Sequence, residues 1–231
     1  LSDHITINAM EIKSDIFYTI AEAAITDTRE KASKFIAYAY PLQDETEVEV
    51  RLGALWKLHP KATHICYAYK LGSDGNRFRM VDDGEPSNTA GKPIYGQILS
   101  RGLTDTAVFV VRYYGGTKLG ASGLISAYKE AASEVLDLAG KVEKQELMKA
   151  FFSIDYAEMG QVLNALKSVD FEIIDKHFGE MAKVEVTCGL ADFDQKWHQL
   201  KCLLLALPDE MVDEKTVVPF CQLVNKTIFR P

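Results

Sequence analysis

One stretch, Thr106 to Leu138, constrains this chain more than any other. It opens with Thr106-Ala107-Val108-Phe109-Val110-Val111-Arg112, an unbroken β-branched and aromatic run that predicts a strand buried on both faces. A glycine-rich loop follows, Tyr113-Tyr114-Gly115-Gly116-Thr117-Lys118-Leu119-Gly120-Ala121-Ser122-Gly123. With Arg112 at its start it holds two cations and no acid. Leu124, Ala127, Tyr128, Ala131, Val135 and Leu138 then recur at three- and four-residue steps, as one face of a helix does. Strand, glycine loop and helix in this order offer backbone N–H groups and a positive helix end to an anion. The loop is neither a P-loop nor a dinucleotide fingerprint, because G-x-x-x-x-G-K-[ST] is absent and G-x-G-x-x-G does not fit. Its glycines allow close backbone approach or positive φ; the plainer reading is tight turning and helix–sheet packing alone.

Upstream, Ile16 to Ile20 and Lys34 to Tyr40 have the aromatic and β-branched content of strands, with Pro41 ending the second. Between them, Asp27-Thr28-Arg29-Glu30-Lys31 reads as a polar, exposed connection. Asp44 to Leu58 is a helix candidate with acids in its first turn and an apolar stripe of Val48, Leu52, Leu55 and Trp56, stopped at His59-Pro60. Thr63 to Leu71 returns as a strand. Gly72-Ser73-Asp74-Gly75-Asn76 is a turn cluster, and Arg77 to Val81 alternates as a hairpin partner does. A second dense loop, Asp82 to Pro93, leads into a helix bearing Ile94, Ile98 and Leu99, with Pro93 in the first turn and Gly102 past the end.

After Gly140 the texture changes. Lys141 to Lys149 is charged and reads as a linker or strand lead-in. Strand (Ala150 to Asp155), helix (Met159 to Val169), strand (Phe171 to Phe178), strand (Lys183 to Cys188), helix (about Phe193 to Leu207) and a closing strand near Thr216 to Val224 follow. That order is βαββαβ, a ferredoxin-like arrangement. The expectation is an α+β protein of two domains, 1–140 and 141–231.

A chain of 231 residues that is 47% hydrophobic has room for one large or two smaller cores. No apolar run reaches the roughly 18 to 20 residues that span a bilayer, so no membrane contact is expected. Leu1-Ser2-Asp3-His4 lacks the basic start and apolar core of a signal peptide, and Cys66, Cys188, Cys202 and Cys221 are scattered without paired spacing. They read as reduced thiols in a cytoplasmic protein. The net charge of −7, shared by both halves, argues against a broad polyanion binder. A local basic site is compatible with it, since Arg112, Lys118 and Lys129 face no carboxylate between Val108 and Lys129.

Three further constellations weigh against plainer readings. Asp82, Asp83 and Glu85 put three carboxylates in four residues, with Ser87 and Thr89 nearby, as Mg²⁺ binding or acyl and phosphoryl chemistry would use. The spacing matches no EF-hand, and Glu85-Pro86-Ser87 reads equally as a rigid turn whose side chains cap backbone N–H groups. His59, His64 and Cys66 invite a metal or thiol reading, with His64 and Cys66 on one strand face; without a further ligand a packed core strand is the simpler reading. Tyr67 and Tyr69 read as core, while Tyr113-Tyr114 beside Arg112 is a candidate base-stacking platform.

Four ordered segments carry a family resemblance. They are His59-Pro60-Lys61-Ala62-Thr63-His64, Cys66-Tyr67-Ala68-Tyr69, Asp83-Gly84-Glu85-Pro86-Ser87-Asn88-Thr89-Ala90-Gly91-Lys92-Pro93, and Arg112-Tyr113-Tyr114-Gly115-Gly116-Thr117-Lys118-Leu119-Gly120. Together they resemble the IMPACT family in its bacterial, YigZ-type form, across roughly residues 30 to 138. The C-terminal pattern is similar to the small domain that bacterial members append, which resembles a C-terminal domain of elongation factor G. The resemblance implies a first domain with the fold of the second domain of ribosomal protein S5. It also implies a link to translation, since eukaryotic relatives restrain activation of a stress-responsive initiation-factor kinase by competing for its activator. No reaction, cofactor or catalytic residue comes with the family. Asn88 departs from the pattern by standing where relatives carry glycine; asparagine tolerates positive φ.

The expected function is therefore binding without catalysis: no catalytic residue, no metal and no cofactor. RNA, the ribosome or a translation-related protein is the expected partner. The expected contact set is Lys92, Arg112, Tyr113, Tyr114, Gly115, Gly116, Thr117 and Lys118, faced by Asp83, Glu85, Ser87 and Thr89. The rivals are a small hydrolase or phosphotransfer enzyme built on Asp82 to Ser87, and a pure protein-interaction module.

Overall fold

Strand β6, Thr106–Tyr113, is the centre of a five-stranded antiparallel sheet of order β2-β3-β6-β4-β5, in a computed structural model that describes residues 15–72 and 75–230. The other strands are β1 (Ile16–Ile20), β2 (Ala24–Glu30), β3 (Ser33–Pro41), β4 (His64–Leu71) and β5 (Arg77–Val81). Residues 1–14, with the chain start read above, lie outside the described residues, as do Ser73 and Asp74 of the turn cluster. The described residues divide into two compact units, 17–144 and 145–230 with residues 15 and 16.

The most apolar strand takes the middle because both of its faces are covered. Val108 and Val110 join Phe35, Ala37, Ala39, Cys66 and Ala68 beneath helices α2 (Gly91–Ser100) and α3 (Gly120–Ala139). Ala107, Phe109 and Val111 point the other way, with Tyr38, Ile65, Tyr67 and Tyr69, against Val48 and Leu55 of helix α1 (Thr46–Leu58). Period-two alternation in adjacent strands thus fills two cores from one sheet. Edge strands β2 and β5 carry the charges, which discourages further pairing.

Two details of this unit differ from the sequence reading. Asp27 to Glu30 belong to β2, paired with β3, where a polar connection was expected; alternating exposure on an edge strand hides it from an apolar-run search. On α3, Leu138 is exposed and Leu136 and Ala139 close the buried face, because the 3.6-residue period drifts over five turns. Lys141 to Lys149, read as a linker or a strand lead-in, is structured: Lys141–Gln145 forms β7, paired with β1, and β8 (Leu147–Ile154) starts three residues before the expected strand.

The second unit orders its sheet β11-β8-β10-β9, antiparallel throughout, with β9 (Glu172–Phe178), β10 (Ala182–Gly189) and β11 (Cys221–Phe229). In β8 burial alternates strictly, and Met148, Ala150, Phe152 and Ile154 face helices α4 (Met159–Ser168) and α5 (Phe193–Leu205). The closing strand lies some five residues later than expected. Pro219 cannot donate to a ladder, and Thr216 is held in a local turn with Asp213.

Helix α5 ends with Ala206 at φ +53°, its N–H donating to the Leu203 carbonyl and that of Leu207 to the Cys202 carbonyl. This is the Schellman cap, normally a glycine position. Ala206→Gly should raise stability by about 0.5–1 kcal/mol in urea unfolding, since the left-handed penalty on Cβ exceeds glycine's added chain entropy.

Candidate functional site at the glycine loop

Strands β5 and β6 both run antiparallel to β4, so they are parallel to each other and end on the same side of the sheet. The loops that follow them, Asp82 to Ala90 and Tyr114 to Leu119, therefore emerge together and start α2 and α3 at that end. They meet through Glu85. Its Oε1 accepts from Arg112 Nη1 at 2.5 Å and from the Tyr128 hydroxyl at 2.8 Å. Both side chains of the Arg112–Glu85 pair are buried, at 6% and 4% exposure.

Arg112 thus sits inside the protein, and no open face of it is offered to a phosphate. Nη2 donates to Ser33 Oγ at 3.3 Å, the same oxygen that accepts from the Gly115 N–H. The guanidinium carbon lies 5.5 Å from the ring centroids of both Phe35 and Tyr114. Its Nε is buried without a hydrogen-bond partner.

The acidic loop consumes its charges internally. Asp82 accepts the backbone N–H groups of Asn88, Ala90 and Gly91, and so occupies the N-terminus of α2. Asp83 accepts from the Ile65 N–H at 2.7 Å, and its carbonyl accepts from His64 Nδ1. Thr89 is buried and donates to the Pro86 carbonyl, Asn88 takes φ +63° as its side chain permits, and Ser87 is exposed. These are the turn-and-cap roles of the plainer reading.

Cys66 and His64 do share a strand face. The Cys66 thiol donates to the Asp82 carbonyl at 3.0 Å and lies 3.3 Å from the Tyr128 hydroxyl. Burial pushes both the thiol and the phenol far above their ordinary values, so Cys66 is a packed thiol at neutral pH. On the opposite sheet face, His59 bridges the Tyr38 and Tyr113 hydroxyls at 2.7 and 2.8 Å. Burial, then the Lys34 charge, holds its imidazole below the usual histidine value. Tyr113 is therefore engaged with His59, while Tyr114 is exposed.

What stays open is the loop itself. Gly116, Thr117 and Lys118 are exposed, as are the first three residues of α3. That 20-residue helix has no side-chain cap and no acid in its first turn. Gly120, at φ +75°, turns the chain into it. Lys92, exposed in the first turn of α2, and Lys118 form no ion pair among the described residues. Sequence reasoning missed Ser33 and Tyr128 as parts of the site: nothing local marks Ser33, and Tyr128 reads as one more apolar helix position.

A sandwich of helices on both faces of an antiparallel sheet, with two helix-start loops locked by a buried arginine–glutamate pair, defines an α+β unit with an exposed, cation-bearing helix start, and no helix among the described residues is long and apolar enough to cross a membrane. The family model for the Impact N-terminal domain matches residues 31–136. IMPACT family member YvyE of Bacillus subtilis is 36% identical over 169 residues, covering 73% of this chain and 78% of that protein. IMPACT family member YigZ of Escherichia coli is 30% identical over 196 residues, covering 79% and 96%. The chain belongs to the IMPACT family, YigZ type. A solved structure described as a hypothetical protein shares the fold, with TM-score 0.63 at 24% identity over 86% of this chain and 95% of that one.

Proposed function

We propose that this chain is a non-catalytic, cytoplasmic binding protein of the translation apparatus, engaging RNA or the ribosome through Thr117, Lys118, Lys92 and the open start of α3. In this reading the 17–144 unit has the ribosomal protein S5 domain 2-like fold, and the 145–230 unit has a ferredoxin-like fold. The translation link follows from family membership. The single observation that carries the contact surface is the contrast between two neighbouring helix starts. Asp82 fills the one at α2, while the one at α3 is exposed, lacks an acid and is flanked by Lys118. Arg112 serves here as the brace between the loops, and phosphates meet the lysines and loop amides instead. The enzyme alternative at Asp82 to Ser87 is the second reading; the bonding of Asp82, Asp83 and Glu85 within the fold supports the turn-and-cap role over it.

The test is binding of the purified chain to total RNA and to isolated ribosomes at low and moderate salt. Lys118→Glu is expected to weaken binding about tenfold and to flatten the salt dependence by about one phosphate contact, with unfolding unchanged. Affinity unaltered by Lys118→Glu overturns the site. Binding that ignores salt favours the protein-interaction module.

A further inference from the structure

We infer that the second unit carries a divalent transition-metal site, for zinc before other ions, formed by His198, Cys202 and Asp209. His198 and Cys202 stand four residues apart on α5 and so share one helix face. The Ala206 cap reverses the chain, and the short turn Asp209–Met211 returns a carboxylate to that face. The potential ligand atoms of the three residues all lie within 4.8 Å of one another, the one such convergence of three metal-binding side chains among the described residues.

The donor set suits the ion. An imidazole nitrogen, a thiolate and a carboxylate oxygen are the three donor types that zinc combines, and a thiolate favours zinc over Mg²⁺ or Ca²⁺. Tetrahedral zinc, with Zn–S of about 2.3 Å and Zn–N of about 2.0–2.1 Å, sets its ligand atoms roughly 3.3–3.6 Å apart. Here His198 Nε2 and Asp209 Oδ1 are already 2.8 Å apart, sharing a hydrogen bond. Binding needs that pair to open slightly around the ion and the thiol to swing inward, both within side-chain rotation. Nε2 gives up the shared proton while Nδ1 holds one, so the imidazole binds neutral, and the thiol proton leaves to solvent.

Access is also in place. Cys66, Cys188 and Cys221 are buried, whereas Cys202 is partly exposed. Cys202 and Asp209 line an open cavity of about 310 Å³ with Ser168, Val169, Gln199 and Leu203. Three protein ligands leave the fourth position facing that cavity, where water or an anionic ligand completes the tetrahedron.

The full chain, stripped with EDTA and dialysed, is titrated with Co²⁺ and followed by absorption, then back-titrated with Zn²⁺. Expected are saturation at one equivalent, a thiolate-to-cobalt charge-transfer band with tetrahedral d–d bands, and displacement by Zn²⁺. Cys202→Ser should abolish the charge-transfer band, and His198→Gln should weaken binding at least tenfold. Cys188→Ser, with its buried thiol, should change neither. Asp209→Asn is the second variant, expected to weaken binding while far-UV circular dichroism stays native. A wild-type chain with no saturable band at micromolar metal overturns the site, as does a band that survives Cys202→Ser; His198 and Asp209 then act only as a hydrogen-bonded latch on the turn after α5.

Discussion

Replacing Glu85 by alanine is expected to cost the 17–144 unit about 3–5 kcal/mol, the usual penalty for stranding one partner of a buried ion pair. The residue looks like a loop glutamate in the sequence, yet its side chain is 4% exposed. Without it, the hydrogen bond Arg112 keeps is the long one to Ser33 Oγ, while its Nε already lacks a partner and the Tyr128 hydroxyl loses its acceptor. Arginine cannot escape by losing its proton, so the charge stays buried. The double variant Glu85→Leu/Arg112→Met should recover a large part of the loss, because two matched apolar side chains leave nothing uncompensated. Guanidinium unfolding in a Trp197→Phe background, read through Trp56 on α1, confines the signal to this unit. A Glu85→Ala midpoint equal to wild type would mean that the pair stabilises nothing.

The second large effect is steric. A Cβ on Gly115 would lie 2.0 Å from the Ala32 carbonyl oxygen and 2.1 Å from its carbon. Both are backbone atoms in the β2–β3 turn, which is itself tied to Gly115 through Ser33 Oγ. Neither side can retreat cheaply, so Gly115→Ala should destabilise by about 3 kcal/mol. Gly120→Ala is the control. It sits at φ +75° with open space where a Cβ would go, so it should cost only about 1 kcal/mol. The same unfolding measurement separates the two, and equal costs would mean that the Ala32 backbone gives way to the added Cβ.

The two results bear on function differently. Glu85 and Gly115 hold the loops; Lys118 is offered to a partner. A charge reversal at Arg112 therefore reports on folding as much as on binding, and only the exposed lysines test the contact surface cleanly.

Much of the architecture was legible locally. The continuous apolar run of β6 marked a strand covered on both faces, the α3 period marked a helix, and Ala150 to Asp155 read as a strand within what is β8. Each is a short-range pattern imposed by burial on a repeating backbone. Strands β2 and β11 were harder. One is a polar edge strand, and the other is displaced by Pro219 and the Asp213–Thr216 turn.

By itself, then, the sequence determined most of the element types, the glycine loop and the family. Only the tertiary structure decided which charges are spent and which are free. Glu85 and Arg112 are 27 residues apart, and Ser33 is 79 from Arg112. Such pairings depend on which strands adjoin and in what register, a property of the whole sheet that no local window contains. For the same reason Arg112, which reads in sequence as a cation beside Lys118, is inside the protein while Lys118 is outside.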